Sequence, residues 1–302
     1  MAAMLLAPLG RLYGASVAWK ARHVRPYRAR ARVICIGNLT AGGSGKTPVA
    51  LAIAARLQAR GKRVFFLTRG YGGRDHGPAQ VQASSNVAEM GDEALLLAVS
   101  APTIVARNRA EGAAQAAAQG AEIIVMDDGH QNFTLAKDAS IVVVDGESGF
   151  GNGLMIPAGP LREPVAQGLS RADAVVVMNA GEPDLQGYKG PVLRARLKVE
   201  SEAFKGRRVF AFAGIGKPEK FVASLKQAGA IVTGAQFFAD HHPFRPGEIA
   251  ALKVRAGTAQ LVTTEKDFVR LDAQDRAGVA VLPVRAAFDD EAALDRLLDG
   301  VA

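Results

Sequence analysis

Lys46 and Thr47 close a glycine-rich run, TAGGSGKTP (residues 40–48), set between an apolar segment, VICIG (33–37), and a helical one, TPVALAIAARLQAR (47–60). A phosphate-binding loop asks for Gly, four free residues, then Gly-Lys-Ser/Thr. Gly45, Lys46 and Thr47 satisfy its end, while Thr40 stands where its first glycine would be. The backbone of Thr40, Ala41, Gly42, Gly43, Ser44 and Gly45 would present N–H groups to phosphate oxygens at the positive end of the following helix. The Lys46 ammonium is expected on the β/γ-phosphates and the Thr47 hydroxyl on Mg²⁺. Pro48 falls in the first helical turn, where a missing N–H costs little.

Four other stretches carry residues able to do chemistry. In EIIVMDDGHQN (122–132) an apolar run delivers Asp127 and Asp128 to the end of a strand. That is where a carboxylate holds Mg²⁺ in P-loop enzymes. Strand alternation points neighbours to opposite faces, so one of the two is expected to face the ion. A plain turn is the alternative for Asp-Asp-Gly. Asp92, in GDEALLLA (91–98), sits at a helix start, where capping alone would account for it. His241, in FFADHHPF (237–244), lies beside Asp240; a His next to an Asp is a general-base pair, a metal site or a turn histidine. The irregular run GFGNGLMIPAGPLREP (149–164) brings Arg162 and Glu163, and long ordered loops of this kind usually carry function. In TTEKDFVRL (263–271), Thr264 and Asp267 have the spacing of a weak capping box.

The elements that must position these residues follow from hydrophobic patterning. Continuously apolar runs at 33–37, 64–68, 103–106, 122–128, 141–145 and 174–179 alternate with helical patterns. Such runs indicate a parallel sheet covered on both faces. A second set of strands and helices begins near residue 190. The expectation is an α/β protein with a P-loop-type, mostly parallel sheet flanked by helices and a smaller C-terminal α/β domain. The segments are an N-terminal membrane-interface helix with its basic tail (1–31), a P-loop core (32–185) and the C-terminal domain (186–302).

The charge is uneven. The chain of 302 residues carries a net charge of +8. Fourteen Lys and Arg precede the first acidic residue, Asp75, leaving 23 basic against 29 acidic residues after it. Its single cysteine, Cys35, excludes an intramolecular disulfide framework. Ahead of the cluster Lys20, Arg22, Arg25, Arg28, Arg30 and Arg32 lies an apolar stretch in which Leu5, Leu9, Leu12 and Tyr13, then Val17, are able to share one helix face. A secretory signal fits poorly, because Arg11 interrupts the apolar run and no basic residue precedes it. A helix lying in a membrane interface, with Trp19 and the arginines at headgroup depth, is the preferred reading; a helix packed on the protein's own core is the other.

Taken together, GNLTAGGSGKTP, TRGYGG, GDEALLLA, DDGHQN, DGESGFGNGLMIPAGPLREP, RADAVVV and TTEKD occur in one order. In that order and composition the chain resembles the tetraacyldisaccharide 4′-kinases, the lipid A 4′-kinases of Gram-negative bacteria, over nearly its whole length. In that family too a threonine takes the place of the first P-loop glycine. The resemblance implies transfer of the γ-phosphate of ATP, with Mg²⁺, to the 4′-hydroxyl of a lipid A disaccharide precursor. It implies work at the cytoplasmic face of the inner membrane. It further implies Asp92 as catalytic base with His241 as its partner, Asp127, Asp128 and Glu163 as acidic groups around Mg²⁺ and the phosphates, and Arg162 as a neighbouring basic contact. One segment departs: the family usually has Asp-Asp-Gly-Phe-Gln-His, often followed by Arg, where this chain has His130, Asn132 and Phe133. Two other classes fit less well. A GTPase would want Asn-Lys-x-Asp after a late strand, and Asn179-Ala180-Gly181-Glu182 lacks the Lys and the Asp. A nucleic-acid-binding ATPase would account for the basic N-terminus, but no nucleic-acid module is present in the sequence.

Overall fold

In the computed structural model, which describes residues 2–199 and 202–301, the apolar runs become the inner strands of one large sheet. In chain order, α1 (Ala2–His23) leads to β1 (Arg32–Gly37), α2 (Lys46–Ala59), β2 (Val64–Thr68) and the short β3 (Ala79–Gln80). Helices α3 (Val87–Met90) and α4 (Asp92–Ala98) follow, then β4 (Thr103–Val105), α5 (Arg109–Ala118) and β5 (Ile123–Asp127). Next come β6 (Ala139–Asp145), α6 (Val165–Leu169), β7 (Ala174–Met178) and β8 (Val192–Val199). The remainder is β9 (Arg208–Ala213), α7 (Pro218–Gln227), β10 (Ile231–Phe237), α8 (Glu248–Ala256), β11 (Gln260–Thr264), α9 (Glu265–Phe268), α10 (Ala273–Arg276), β12 (Val279–Leu282), β13 (Val284–Phe288) and α11 (Glu291–Asp299).

The large sheet has the order β13-β8-β7-β6-β1-β5-β2-β4-β3, parallel except for its two outermost strands, β13 and β3. The glycine-rich loop therefore leaves from an interior strand, with β5 on one side and β6 on the other. Alternation along β1 feeds two cores. Ile34 and Ile36 pack with Val49, Ile53 and Leu57 of α2, and Val33 and Cys35 pack on the opposite face with Ala113 and Ala116 of α5. Each fully buried Val, Leu, Ile or Phe contributes roughly 1.5–3 kcal/mol. These layers make the sheet rigid where it carries the loop.

The smaller sheet, β10-β9-β11-β12, is parallel throughout. Strand membership divides the chain differently from the expected boundary at 185/186. β8 and β13 pair with each other on the edge of the large sheet, and Leu294 and Leu298 of α11 join the core under α2. The small sheet is confined to residues 208–282. A strand's own residues carry no mark of which sheet it will join. Glu200 and Ser201, inside the expected C-terminal segment, lie outside the described residues, as do Met1 and Ala302.

Helix α1 seats Gly10 and Gly14 against the 149–164 loop, where a methyl group at either position would collide with Met155. Val17, expected beside Leu5 and Leu9, is instead buried on this packed side at 8% exposure. Leu5, Leu9, Leu12 and Trp19 stay open, at 79%, 54%, 68% and 60%. Among the described residues no helix is long and apolar enough to cross a membrane.

Candidate active site

The loop after β1 is held from both sides. Asn38 donates its amide to Ser44 Oγ at 3.1 Å, and the 149–164 loop straps the outer edge through Ala41 N to Pro160 O and Arg162 N to Leu39 O, both 2.7 Å. Thr40 pairs with Leu161 in an antiparallel bridge. It is not among the residues with positive φ, so a side chain is tolerated where the general pattern places glycine. Gly45 is different: it enters α2 at φ 88°, a left-handed turn that favours glycine, and a Cβ there would press on Met178 at 3.1 Å. Gly42 and Gly43 have nothing within 4 Å on the side a Cβ would occupy, which leaves the rim of the loop open.

Lys46 and Thr47 are the first two residues of α2, and both meet the end of β5. The register Ile36↔Asp127 sets this meeting. Thr47 Oγ1 lies 3.4 Å from Asp127 Oδ2, and Lys46 Nζ lies 3.7 Å from Asp128 Oδ1. Asp128 adopts φ 50°, so the strand alternation ends before it and both carboxylates reach the loop. Its Oδ1 also accepts from Arg162 Nη1 at 2.7 Å. Burial alone would raise the Asp128 carboxyl, but Lys46, Arg162 and Arg109 together hold it below the usual range. Asp127 goes the other way. Burial, then the Glu93 and Asp128 carboxylates, push it up to about 7 against the pull of Lys46.

Asp127 is 1% exposed and its Oδ1 has no hydrogen-bond partner. A buried, unpaired carboxylate oxygen next to a threonine hydroxyl suits a hard divalent cation that takes its other oxygens from phosphates and water. Glu163 has other partners. Its carboxylate is 1% exposed and already engaged, by Arg171 Nη2 at 2.6 Å and Gln131 Nε2 at 2.9 Å. Gln131 Nε2 also reaches Asn38 O at 2.8 Å, so Glu163 braces the root of the loop.

The expected pair of Asp92 and His241 does form. Gly91 caps α4, with no side-chain cap, so capping does not account for Asp92. Its Oδ1 accepts from Glu93 N at 2.8 Å, and its Oδ2 lies 2.9 Å from His241 Nδ1. His241 sits in a left-handed turn (φ 59°) just beyond β10, so the pair is made between the two sheets. Two cations missing from the sequence reading complete the cluster. Arg270 binds Asp92 Oδ2 through Nε at 2.9 Å and through Nη2, and Lys266 Nζ stands 3.1 Å from His241 Nε2 and 3.9 Å from Asp92 Oδ2. Burial works to raise the Asp92 carboxyl, yet Lys266, Arg270 and His241 outweigh it and hold it low. Helix α4 packs against α2, the helix whose first residues, Lys46 and Thr47, meet the end of β5.

The capping signal at Thr264 is real, since its Oγ1 accepts from Asp267 N at 3.0 Å. It also hides a second task, because Asp267 fixes Arg270. The spacing Asp267–Arg270, one helical turn, was the available signal.

His130, in the departing segment, is a buried core residue. Its Nε2 donates to Gly168 O and its Nδ1 accepts from Ser140 Oγ, both at 2.9 Å, and burial pushes it down to about 3. The folded protein refuses a proton that the unfolded chain accepts below about pH 6.5. Stability should therefore fall as pH drops, by about 1.4 kcal/mol per unit, until His130 itself titrates. Between about pH 7 and about pH 5, urea unfolding should show the gap between wild type and His130→Phe shifting by ~2 kcal/mol in favour of the variant. A gap independent of pH would show that His130 is not held neutral.

The chain is similar to known proteins in both sequence and structure. The family model described as tetraacyldisaccharide-1-P 4′-kinase matches residues 2–302. The tetraacyldisaccharide 4′-kinase of Paramagnetospirillum magneticum is 52% identical, covering 98% of this chain and 94% of that protein. That of Methylobacterium radiotolerans is 50% identical over 99% of this chain and 94% of its own. A crystal structure of LpxK from Aquifex aeolicus, described as an "apo" form in complex with ATP, superposes with a TM-score of 0.81 at 26% identity and covers 99% of both chains.

Proposed function

The chain belongs to the tetraacyldisaccharide-1-P 4′-kinase family, and from that membership we propose how its own residues carry the reaction. The protein is an ATP-dependent kinase that transfers the γ-phosphate of ATP to the 4′-hydroxyl of an acylated glucosamine disaccharide 1-phosphate, a step of lipid A biosynthesis. The observation that carries the residue assignment is the Asp92–His241 contact at the start of α4, a helix packed on α2, made between parts of the chain that only the fold brings together.

The open rim at Gly42 and Gly43, with the backbone from Thr40 to Gly45, receives the ATP phosphates at the start of α2. Lys46 neutralises charge on the β- and γ-phosphates and leaves Asp128 to do so, while Arg162 keeps Asp128 compensated. Thr47 and Asp127 are the residues that would hold Mg²⁺; when bound, the ion supplies neutralisation of the phosphates. Asp92 accepts the proton of the 4′-hydroxyl as that oxygen attacks, and His241 holds the Asp92 carboxylate from Nδ1. Little covalent chemistry is demanded of the protein, because phosphoryl transfer depends mainly on positioning and charge. Incubating the purified protein with Mg²⁺-ATP and the acylated disaccharide 1-phosphate should add one phosphate at the 4′-position, seen by mass and ³¹P NMR. ATP consumption without a phosphorylated disaccharide would contradict the reading.

The acceptor's acyl chains place the reaction at a membrane, and α1 supplies the docking surface. Its open Leu5, Leu9, Leu12 and Trp19 would lie in the interface, with Lys20, Arg22 and Arg25 at the anionic headgroups of the inner membrane's cytoplasmic face. Replacing Leu9 and Leu12 by Asp leaves the Gly10–Gly14 face packed. Sedimentation with anionic vesicles should then weaken about tenfold or more, while the KM for ATP holds. Unchanged sedimentation would remove α1 from the docking surface.

A further inference from the structure

We propose that Arg270 is a positioning residue for the transfer, reserving the Oδ1 oxygen of Asp92 for the incoming hydroxyl and doing so only while the small sheet is docked on α4. The inference rests on the assignment of Asp92 as proton acceptor.

Each carboxylate oxygen offers two lone pairs. At Asp92 Oδ2 two N–H donors of one guanidinium converge, Arg270 Nε at 2.9 Å and Arg270 Nη2, and fill both lone pairs, with His241 Nδ1 standing 2.9 Å away. That oxygen is saturated. Oδ1 accepts one bond, from Glu93 N, and keeps a lone pair. The 4′-hydroxyl can therefore deliver its proton to Oδ1 as its O–H bond breaks and its O–P bond forms. The bond from the γ-phosphorus to the ADP oxygen breaks in the same transfer, and the proton later leaves Oδ1 for water.

Arg270 is suited to impose this choice because it cannot turn. Its side chain is 3% exposed, and Nη1 donates to Gly214 O and to Asp267 Oδ1, both at 2.8 Å. Asp267 is itself fully buried and accepts from Gly214 N and Thr264 Oγ1. His241 is 36% exposed on its side chain and has no such enclosure. Gly214, Asp267, Arg270 and His241 all belong to the small sheet and its loops, whereas Asp92 opens α4 beside the large one. The guanidinium thus ties the orientation of the base to the docking of the two sheets. A lysine at this position would keep the charge but could not give two N–H bonds to one oxygen and a third to Gly214.

The charged groups facing Asp92 are few. Lys266, Asp267 and Arg270 come from α9 and the turn after it, His241 and Asp240 from the turn after β10, and Glu93 from α4 itself. The Tyr71 ring meets His241 edge-on and adds no charge. Loss of Arg270 removes a cation from Asp92, so the carboxylate should take up its proton at higher pH.

The test uses full-length Arg270→Met, Arg270→Lys and Asp92→Asn, with kcat, KM and melting followed from about pH 3 to about pH 8, a range that takes in the acidic limb of a carboxylate held low. Arg270→Met should lower kcat ~30-fold or more, keep the KM for ATP within about threefold, and move the acidic limb of kcat upward by about one pH unit. Arg270→Lys should return the limb towards its wild-type position while recovering only part of kcat. It also serves as the folded variant should the methionine variant melt. An unmoved limb in Arg270→Met, or a lysine variant with full kcat, would overturn the positioning role. Asp92→Asn that kept both the limb and wild-type turnover would instead overturn the base assignment, and Arg270's role with it.

Discussion

Lys46→Ala is expected to lower kcat/KM for the transfer by ~10²–10³-fold, the scale on which a preorganised charge at the reacting centre acts. The side chain is 13% exposed at the head of α2, and its nearest anion is Asp128 at 3.7 Å. An ammonium shielded from water in this way is worth more to a phosphate than an exposed one. Asp128 keeps Arg162 at 2.7 Å when Lys46 is removed, so no bare carboxylate is left behind and the fold should hold. A melting temperature close to wild type with activity near background is the result that assigns Lys46 to the chemistry. Turnover within about tenfold of wild type would mean that Arg162 and the loop amides suffice. Arg at this position is not a mild change, since the loop is shaped to a point charge and the guanidinium is a planar fork.

Asp92→Asn is expected to reduce kcat by ~10²–10⁴-fold, the range for losing a general base, with the KM for ATP little changed. Asparagine keeps the shape and one acceptor oxygen for Arg270. Asp92→Ala mixes two effects. It removes the base, and it leaves Arg270, 3% exposed, with only Asp267 as carboxylate partner. Breaking a buried pair from one side costs roughly 3–5 kcal/mol. Comparing kcat and urea stability of the two variants separates the chemistry from the fold. The acid end gives an independent sign. The folded carboxyl is held below its unfolded value, so its contribution is present above about pH 4 and is lost as pH falls below that. Asp92→Asn should lack that loss. Normal turnover in Asp92→Asn would rule out Asp92 as the acceptor of the hydroxyl proton.

Much of the site was legible in the residues because its parts are local. The strand–loop–helix around 33–60 is fixed by an apolar run, a glycine-rich turn and a helical repeat, and it places Lys46 and Thr47 without reference to anything distant. The Asp127–Asp128 strand end is equally local. Asp92 and His241 came from the family resemblance, since an Asp at a helix start and a His in a turn are each ambiguous alone. Glu163 came by the same route, while its partners, Arg171 and Gln131, are chosen by packing.

The sequence by itself determined the α/β class, the phosphate-binding loop and its lysine, the acidic strand end, the uneven basic N-terminus and the family. These are set by spacing within one element or by order along the chain. Only the tertiary structure decided that β8 and β13 close the large sheet, that Val17 faces inward, and that Thr40 lies in an extended bridge where no glycine is needed. It alone put Arg270 and Lys266 on Asp92, from a helix whose local pattern reads as a capped turn. The physical reason is common to all of these. Backbone conformation answers to neighbours a few residues away, whereas the partner of a buried charge is whichever group the packed sheets carry to it, at any distance along the chain.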